Sequence, residues 1–333
     1  MTTASADPGG PMATRQLAAE YQPRRGRRAQ RSREKYNRKE AIAGLLFITP
    51  WIIGFLVFTV ISMSYSLVLS FTDYDLATNT MDPVGTENFE QLAQNPRVLR
   101  SLGNTFTFAL MAVPVEVSMA LLIAMLLNSV RRGAGLFRVI YYLPKMTPAV
   151  ATAAVFLLLL NGNQGAINKG LDMIGIQGPQ WLLDPDWVKP SIVVMSAWSV
   201  AGSAVILLAA LQAVPKELYE SAALDGAGRL SRFRNITLPM ISPTLFFIVI
   251  TLTIASLQVF DQAYLLFYRD GANSAAPEAA LFYGVYLYQQ AFQQFNFGLA
   301  AAMAWLLFVI ILLITVVQLK VGERLVYYEG GKR

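Results

Sequence analysis

The 333-residue chain is 55% hydrophobic and 14% charged, and it has no His and no Cys. Soluble chains carry about 25% charged residues, so this one cannot cover a water-facing surface of the expected size. Ser-His-Asp and Cys-His nucleophile systems, Cys/His zinc sites and disulfides are excluded by composition, and no metal site is expected.

Residues 1–40 combine Pro, Gly and Ser with ten Lys/Arg, among them Arg24, Arg25, Arg27, Arg28, Arg31, Arg33, Lys35, Arg38 and Lys39. Such composition predicts a disordered tail. Its position against the first apolar segment favours an anchor at anionic lipid headgroups over a nucleic-acid arm. A cleaved signal peptide fits poorly, because the apolar stretch exceeds the usual length of about 7–15 residues.

Six segments are nearly free of charge: 41–70, 104–130, 139–160, 191–214, 243–267 and 297–319. Each meets the requirement of about 20 residues for a helix crossing a bilayer core of about 30 Å. Buried helices of soluble proteins average about 11–12 residues, so the pattern predicts an all-α membrane protein with six transmembrane helices. Of the 27 Lys/Arg, 22 fall in the tails and the loops after spans two, four and six or their edges; Arg97, Arg100, Lys169, Lys189 and Arg269 fall on the other side. The positive-inside rule then places both termini in the cytoplasm. The opposite face is acidic, with Asp73, Asp75, Asp82, Glu87, Glu90, Asp172, Asp184, Asp186, Asp270 and Glu278.

The outer loop 71–103 contains Pro83, Gly85 and Pro96 and is expected to form only short helical turns. The loop 161–190 carries the turn signals Asn161-Gly162-Asn163, Gly178-Pro179 and Asp184-Pro185. A third leads into Leu281–Gln294, an aromatic, Gln-rich helix before the last span. No internal repeat points to an inverted-repeat carrier.

The cytoplasmic loop 215–239 differs from the rest. Pro215 suits a helix's first turn and Glu217 its positive end, while Gly226 should stop that helix. Ala222, Ala223, Gly226 and Ala227 are small enough to let another protein approach closely. Composition alone supports a routine interhelical loop equally well. The spacing, however, resembles the EAA loop of ABC importer permeases: E-A-A, three residues, G, nine residues, I, one residue, L-P. Glu220, Ala222, Gly226, Ile236, Leu238 and Pro239 stand at those positions, with Asp225-Gly226-Ala227 as the D-G-A element. Ser221 replaces the second position's Ala, a small-for-small departure.

Residues 40–325 are similar to the carbohydrate permeases related to maltose-transporter subunits. The supporting pieces are Phe71-Thr72-Asp73-Tyr74, Asn88-Phe89, Asn104-Thr105, Tyr142-Leu143-Pro144, Phe260-Asp261 and the run Gly298–Met303. The family's T-x-G-G-P is replaced here by the run Phe267–Ser274. The resemblance implies the type I ABC importer (MetI-like) permease fold over residues 41–320, a C-terminal tail over 321–333 and residence in a bacterial inner membrane. It implies five partners: a second permease, expected to be a different chain, two ATPase subunits, an external solute-binding protein and a sugar or polyol substrate. The sequence has no G-x-x-x-x-G-K-[ST] phosphate loop, so ATP and Mg are expected in the partner ATPase and no cofactor in this chain.

Polar residues inside spans are functional candidates by default. Thr251, Ala255, Gln258 and Gln262 recur at helical spacing in the fifth span, which would put two amides and a hydroxyl on one face toward a sugar. Interhelical hydrogen bonding is the other reading. Trp198 and Ser199 sit at membrane depth in the fourth span, where Trp198 would stack on a pyranose or serve packing. Glu116 and Asp261 are the two carboxylates within spans. A proton-driven carrier acting through Glu116 is one competing class, and a subunit-interface role is the reading favoured for that residue. A membrane enzyme is the remote one, because nothing places the two carboxylates together across a bond.

Overall fold

The computed structural model describes residues 38–76, 78–130, 132–268 and 277–325, with side chains from 42 to 323. Of the expected tails, all but 38–40 and 321–325 lies outside the described residues. So does the run 269–276, where the T-x-G-G-P segment would fall. The chain divides into two compact units, Met1–Ser64 and Tyr65–Arg333.

In the first unit α1 (Arg38–Phe55) passes through a π-helical stretch, Leu56–Ile61, into α2 (Ser62–Leu69), whose last residues belong to the second unit. The run Ile42–Leu69 has a mean hydropathy of 2.3, and none of its most apolar window is buried. A helix apolar on all sides and unburied by its own chain needs a non-aqueous solvent. Thr49 and Ser64 satisfy their hydroxyls on the carbonyls of Leu45 and Val60, one turn back.

The second unit opens with a correction to the reading of 71–103 as helical turns. Strands β1 (Thr72–Asp75) and β2 (Thr80–Pro83) form an antiparallel hairpin, Thr72 opposite Pro83 and Asp75 opposite Thr80. The chain is therefore mostly rather than wholly helical. Gly85, at φ +61°, turns it into α3 (Glu87–Gln94). Buried Asn88 on α3 donates to the carbonyls of Ser70 (3.1 Å) and Thr72 (3.0 Å), which fixes the hairpin root. The backbone of Gly298 seats against the same root: a Cβ there would lie 2.1 Å from the Thr72 carbonyl oxygen.

Next, Asn95 caps α4 (Pro96–Ser129), its side chain accepting from the Arg97 N–H, with Pro96 in the first turn. That cap starts the second long helix before the expected Asn104. The third and fourth expected spans are bent pairs. Helices α5 (Ala134–Met146) and α6 (Ala149–Leu159) meet at 94°. Thr147 precedes Pro148 and is extended (φ −74°, ψ 131°), the conformation forced on a residue before proline. After α7 (Ala166–Asp172), helices α8 (Pro185–Trp198) and α9 (Ala201–Ala213) meet at 52°, broken at Ser199-Val200 without any proline. Helices α10 (Lys216–Leu224) and α11 (Arg229–Arg232) form the loop, followed by α12 (Leu238–Leu257), α13 (Asp261–Phe267), α14 (Tyr283–Tyr288) and α15 (Phe297–Leu325). Among the described residues four runs are long and apolar enough to cross a membrane, or up to six if each bent pair is one span.

Two apolar cores hold the second unit. One, at the hairpin end, joins Val98, Phe108 and Ala112 of α4 to Val188–Met195, Val259–Tyr268, Ala280–Tyr286 and Leu299–Leu307. The other, at the loop end, joins Ala120, Ala124 and Leu127 of α4 to Val200–Val214, Ile241 and Ile248. The Asn104-Thr105 pair bolts the 278–283 segment to α4. Asn104 donates to the carbonyls of Glu278 and Leu281, and the Thr105 hydroxyl accepts from the Tyr283 N–H, each at 2.9 Å. Tyr283 in turn donates its hydroxyl to Met303 O on α15 at 2.9 Å, and burial raises that phenol above its ordinary range, keeping it a donor.

The close seat at Gly298 generates a test. Gly298→Ala forces backbone apart and should destabilise the protein by about 1–3 kcal/mol, read as a lower unfolding temperature in detergent. Gly103→Ala, where a Cβ meets nothing within 4 Å, should not lower it.

Candidate functional site

The loop between α9 and α12 is built around one helix stop. Pro215 (φ −57°, ψ 132°) caps α10, and Gly226 takes φ +78° just past its end. The Gly226 N–H reaches Ala223 O at 3.1 Å and the Ala227 N–H reaches Ala222 O at 2.9 Å. This paired closure is the Schellman motif, which needs a residue free to adopt left-handed backbone. A Cβ there would cost about 1–2 kcal/mol. Tyr219 of α10 hydrogen-bonds Thr237 at 2.9 Å across the loop, and Tyr219 and Ile236 pack onto the loop-end core. Outward, the loop presents Glu220, Ser221, Asp225 and Gly226 exposed, with Ala222 and Ala227 half-buried. Leu224 and Leu230 are 90% and 79% exposed, apolar side chains with no cover from this chain. Leu238 and Pro239 open α12, so Ile236, Leu238 and Pro239 stand where the loop re-enters the bundle.

A second site lies where the fifth span breaks. Helix α12 ends at Leu257, Gln258 (φ −101°, ψ 17°) and Phe260 (φ −140°, ψ −62°) leave helical geometry, and α13 starts afresh at Asp261. Thr251, Ala255 and Gln258 share the exposed side of α12 up to its C-cap, and only Gln262 lies beyond the break. Gln258 and Asp261 are exposed and Gln262 is half-buried, whereas Val259 and Ala263 are buried in the hairpin-end core. The break sits about 10 Å below the end of α13. Gln258 and Asp261 thus present an amide and a carboxylate at the break, groups that call for water or a polar partner.

Helix α14 lies directly on the break. A Cβ on Gly284 would be 3.0 Å from Val259 O and 3.5 Å from the Phe260 Cβ. One turn on, Tyr288 meets Phe260 (ring centroids 5.3 Å) and Tyr264 (5.1 Å), while Phe260 and Tyr264 stack at 5.2 Å. Phe292 continues the series 5.0 Å from Tyr288. The sequence reading missed these four rings. Their signals were the i, i+4 spacings of Phe260/Tyr264 and Tyr288/Phe292 in the sequence.

With that geometry in place, the comparisons with known proteins are specific. Residues 92–327 match the model of the binding-protein-dependent transport system inner membrane component. The chain belongs to that family of transport permeases. It is 38% identical to the probable ABC transporter permease protein YesP of Bacillus subtilis, covering 88% of this chain and 94% of that one. It is 32% identical to the lactose transport system permease protein LacF of Rhizobium radiobacter, over 86% and 96% of the two chains. A chain in the crystal structure of a bacterial alginate ABC transporter, in complex with an alginate pentasaccharide-bound periplasmic protein, superposes with a TM-score of 0.75. Identity to it is 25%, and the match covers 86% of this permease and 96% of that chain.

The permease's remaining candidates fall apart from one another. Trp198 ends α8, 55% exposed, with its ring edge-on to Phe156 at 6.2 Å. It lines an apolar cavity of about 570 Å³ between α4, α5, α6, α8 and α9. The Ser199 hydroxyl bonds Ser196 O, and that of Thr251 bonds Phe247 O and Ile248 O, so both are satisfied within their own helices. Glu116 is buried on α4 at 8% exposure. Asp261 instead stands at the exposed head of α13. Nothing brings the two carboxylates together.

The helix stop yields a prediction of its own. Gly226→Ala strains the Schellman closure and should speed limited tryptic cleavage after Arg229 severalfold. An unchanged digestion rate would show that the loop tolerates a side chain at φ +78°.

Proposed function

We propose that this permease is the membrane-spanning subunit of an ATP-driven importer and forms half of the path for a di- or oligosaccharide or related polyol. Relatives named for lactose, trehalose/maltose and arabinooligosaccharides support a sugar as cargo. In this reading the chain crosses a bacterial inner membrane six times, with both termini in the cytoplasm. The loop 215–239 docks in a groove on one of two ATPase subunits, which hold the ATP and Mg. A different permease chain closes the path, and an external binding protein delivers the sugar.

The observation that carries the reading is the construction of the loop. Its outward side offers bare Leu224 and small Ala222 and Ala227, while its inward side is tied by Tyr219 and Ile236 into the core that holds α9 and α12. A partner pressing on that loop therefore moves two spans, the differential contact that alternating access requires. Gln258 supplies the exposed amide on the path, with Gln262 beside it. Trp198, Ser199 and Thr251 belong to the same path in this reading, Trp198 and Thr251 with exposed side chains, and Glu116 takes a structural role.

Copurification from detergent with a coexpressed ATPase tests the loop. Gly226→Asp should abolish ATPase recovery and sugar uptake together; full uptake in that variant would overturn the docking role. Gln258→Ala should raise KM for the sugar about tenfold or more, the scale of a lost charge-neutral hydrogen bond in a dry site, with assembly intact. Uptake by this chain alone, driven by a proton gradient without ATP, would replace the whole reading with a carrier.

A further inference from the structure

We propose that the rings of Phe260, Tyr264, Tyr288 and Phe292 form a carbohydrate track that leads a glycan from the outer mouth to the break in the fifth span. The inference rests on the sugar-importer reading and adds to it the route by which the sugar enters. A sugar ring presents an apolar C–H face bordered by hydroxyls, so aromatic platforms flanked by hydrogen-bonding groups are the chemistry that recognises it. Here the platforms succeed one another at 5.2, 5.1 and 5.0 Å. Phe260 and Tyr264 are stacked on each other at 22°, and Tyr288 meets Tyr264 edge-on at 65°. A sugar would therefore meet the outward edges of these half-buried rings in turn, and a free ring face only at Phe292.

Three features separate the series from ordinary core. It ends on Phe292, which is 59% exposed. Exposed Gln258 and Asp261 flank Phe260 at its other end, so the surface beside it faces water or a polar cargo rather than acyl chains. The support is also rigid. Gly284 lets α14 rest on Val259 and Phe260, and three anchors hold the segment before it: Asn104 to Glu278 and Leu281, Thr105 to Tyr283, and Tyr283 to Met303. Platforms fixed in this way need no ordering when the sugar arrives.

The test uses the complete assembly of both permeases, the ATPase pair and the binding protein in proteoliposomes. The probes are labelled lactose, maltose, trehalose, maltotetraose and an arabinotriose. Phe292→Ala and Phe292→Leu should each raise KM about five- to tenfold for the longest imported probe, the range of one lost ring contact. Phe292→Tyr should restore it, and kcat and subunit recovery should stay at the unsubstituted level. A Leu variant equal to the unsubstituted protein would overturn the track, since apolar bulk would then suffice. Loss of the partner permease or binding protein from the Ala variant would also overturn it, by making Phe292 a protein contact. Failure of the unsubstituted assembly to import any probe would remove the sugar reading and the track together. Import that all Phe292 variants share would remove the track alone.

Discussion

Backbone polar groups have no partner in hydrocarbon, and this permease breaks its apolar helices where such partners are needed. The interruptions fall at Thr147-Pro148, at Ser199-Val200 and at Gln258 to Phe260. A helix may stop at membrane depth only where protein or water takes over the freed groups. That constraint dictates what surrounds each stop. At Ser199 the hydroxyl and the N–H both turn back to Ser196 O. At Gln258 the N–H reaches Ile254 O and Ala255 O, and α14 covers the far side through Gly284. The stops are therefore built features with their own cover.

The hairpin-end core gives way to the loop-end core between Ala112 and Ala120 on α4, between Met195 and Val200, and between Val259 and Ile248. Two of the three interruptions coincide with that seam, and buried Glu116 lies on it. Each core is tightly packed and so behaves as a block with few intermediate arrangements. The loop that faces outward belongs to one block, and the ring series with its polar flank belongs to the other. Away from the seam, α12 and α15 remain joined by the Gln318 side chain donating to Thr253 at 3.0 Å, and by the Phe246 ring lying on Gly322.

What the sequence made legible follows from what hydropathy and charge can encode. The first and sixth apolar segments were placed to within a few residues, because length and apolarity are what a long uninterrupted apolar run writes into the sequence. The stop at Gly226 was legible because left-handed backbone past a helix end leaves a glycine in the text. The bend before Pro148 had a written signal too, although it was not drawn out. Ser199-Val200 had none: no proline or adjacent glycine marks it, and tertiary packing decides it. The face of Thr251, Ala255 and Gln258 was legible as far as the end of α12, and only Gln262 falls outside it, since periodicity presumes an unbroken helix. The hairpin was missed because Pro83 and Gly85 were read as turns alone, while its pairing depends on Asn88 and Gly298, which arrive later in the chain. Asn104-Thr105 was recognised as a family fragment, but its work, holding the 278–283 segment, is visible only in three dimensions.

Helix α4 is the one element that contributes to both cores. Its 34 residues make a rod of about 50 Å, and Pro114, near its middle, lacks the N–H that would tie that turn to the one before. The softest turn of the rod thus sits beside the seam, between two clamped halves. Geometry then sets the scale: a bend of about 5° at that turn shifts one tip by about 2 Å relative to the straight helix. The two blocks can thus move against each other by about the width of a hydroxyl group without disturbing the packing inside either.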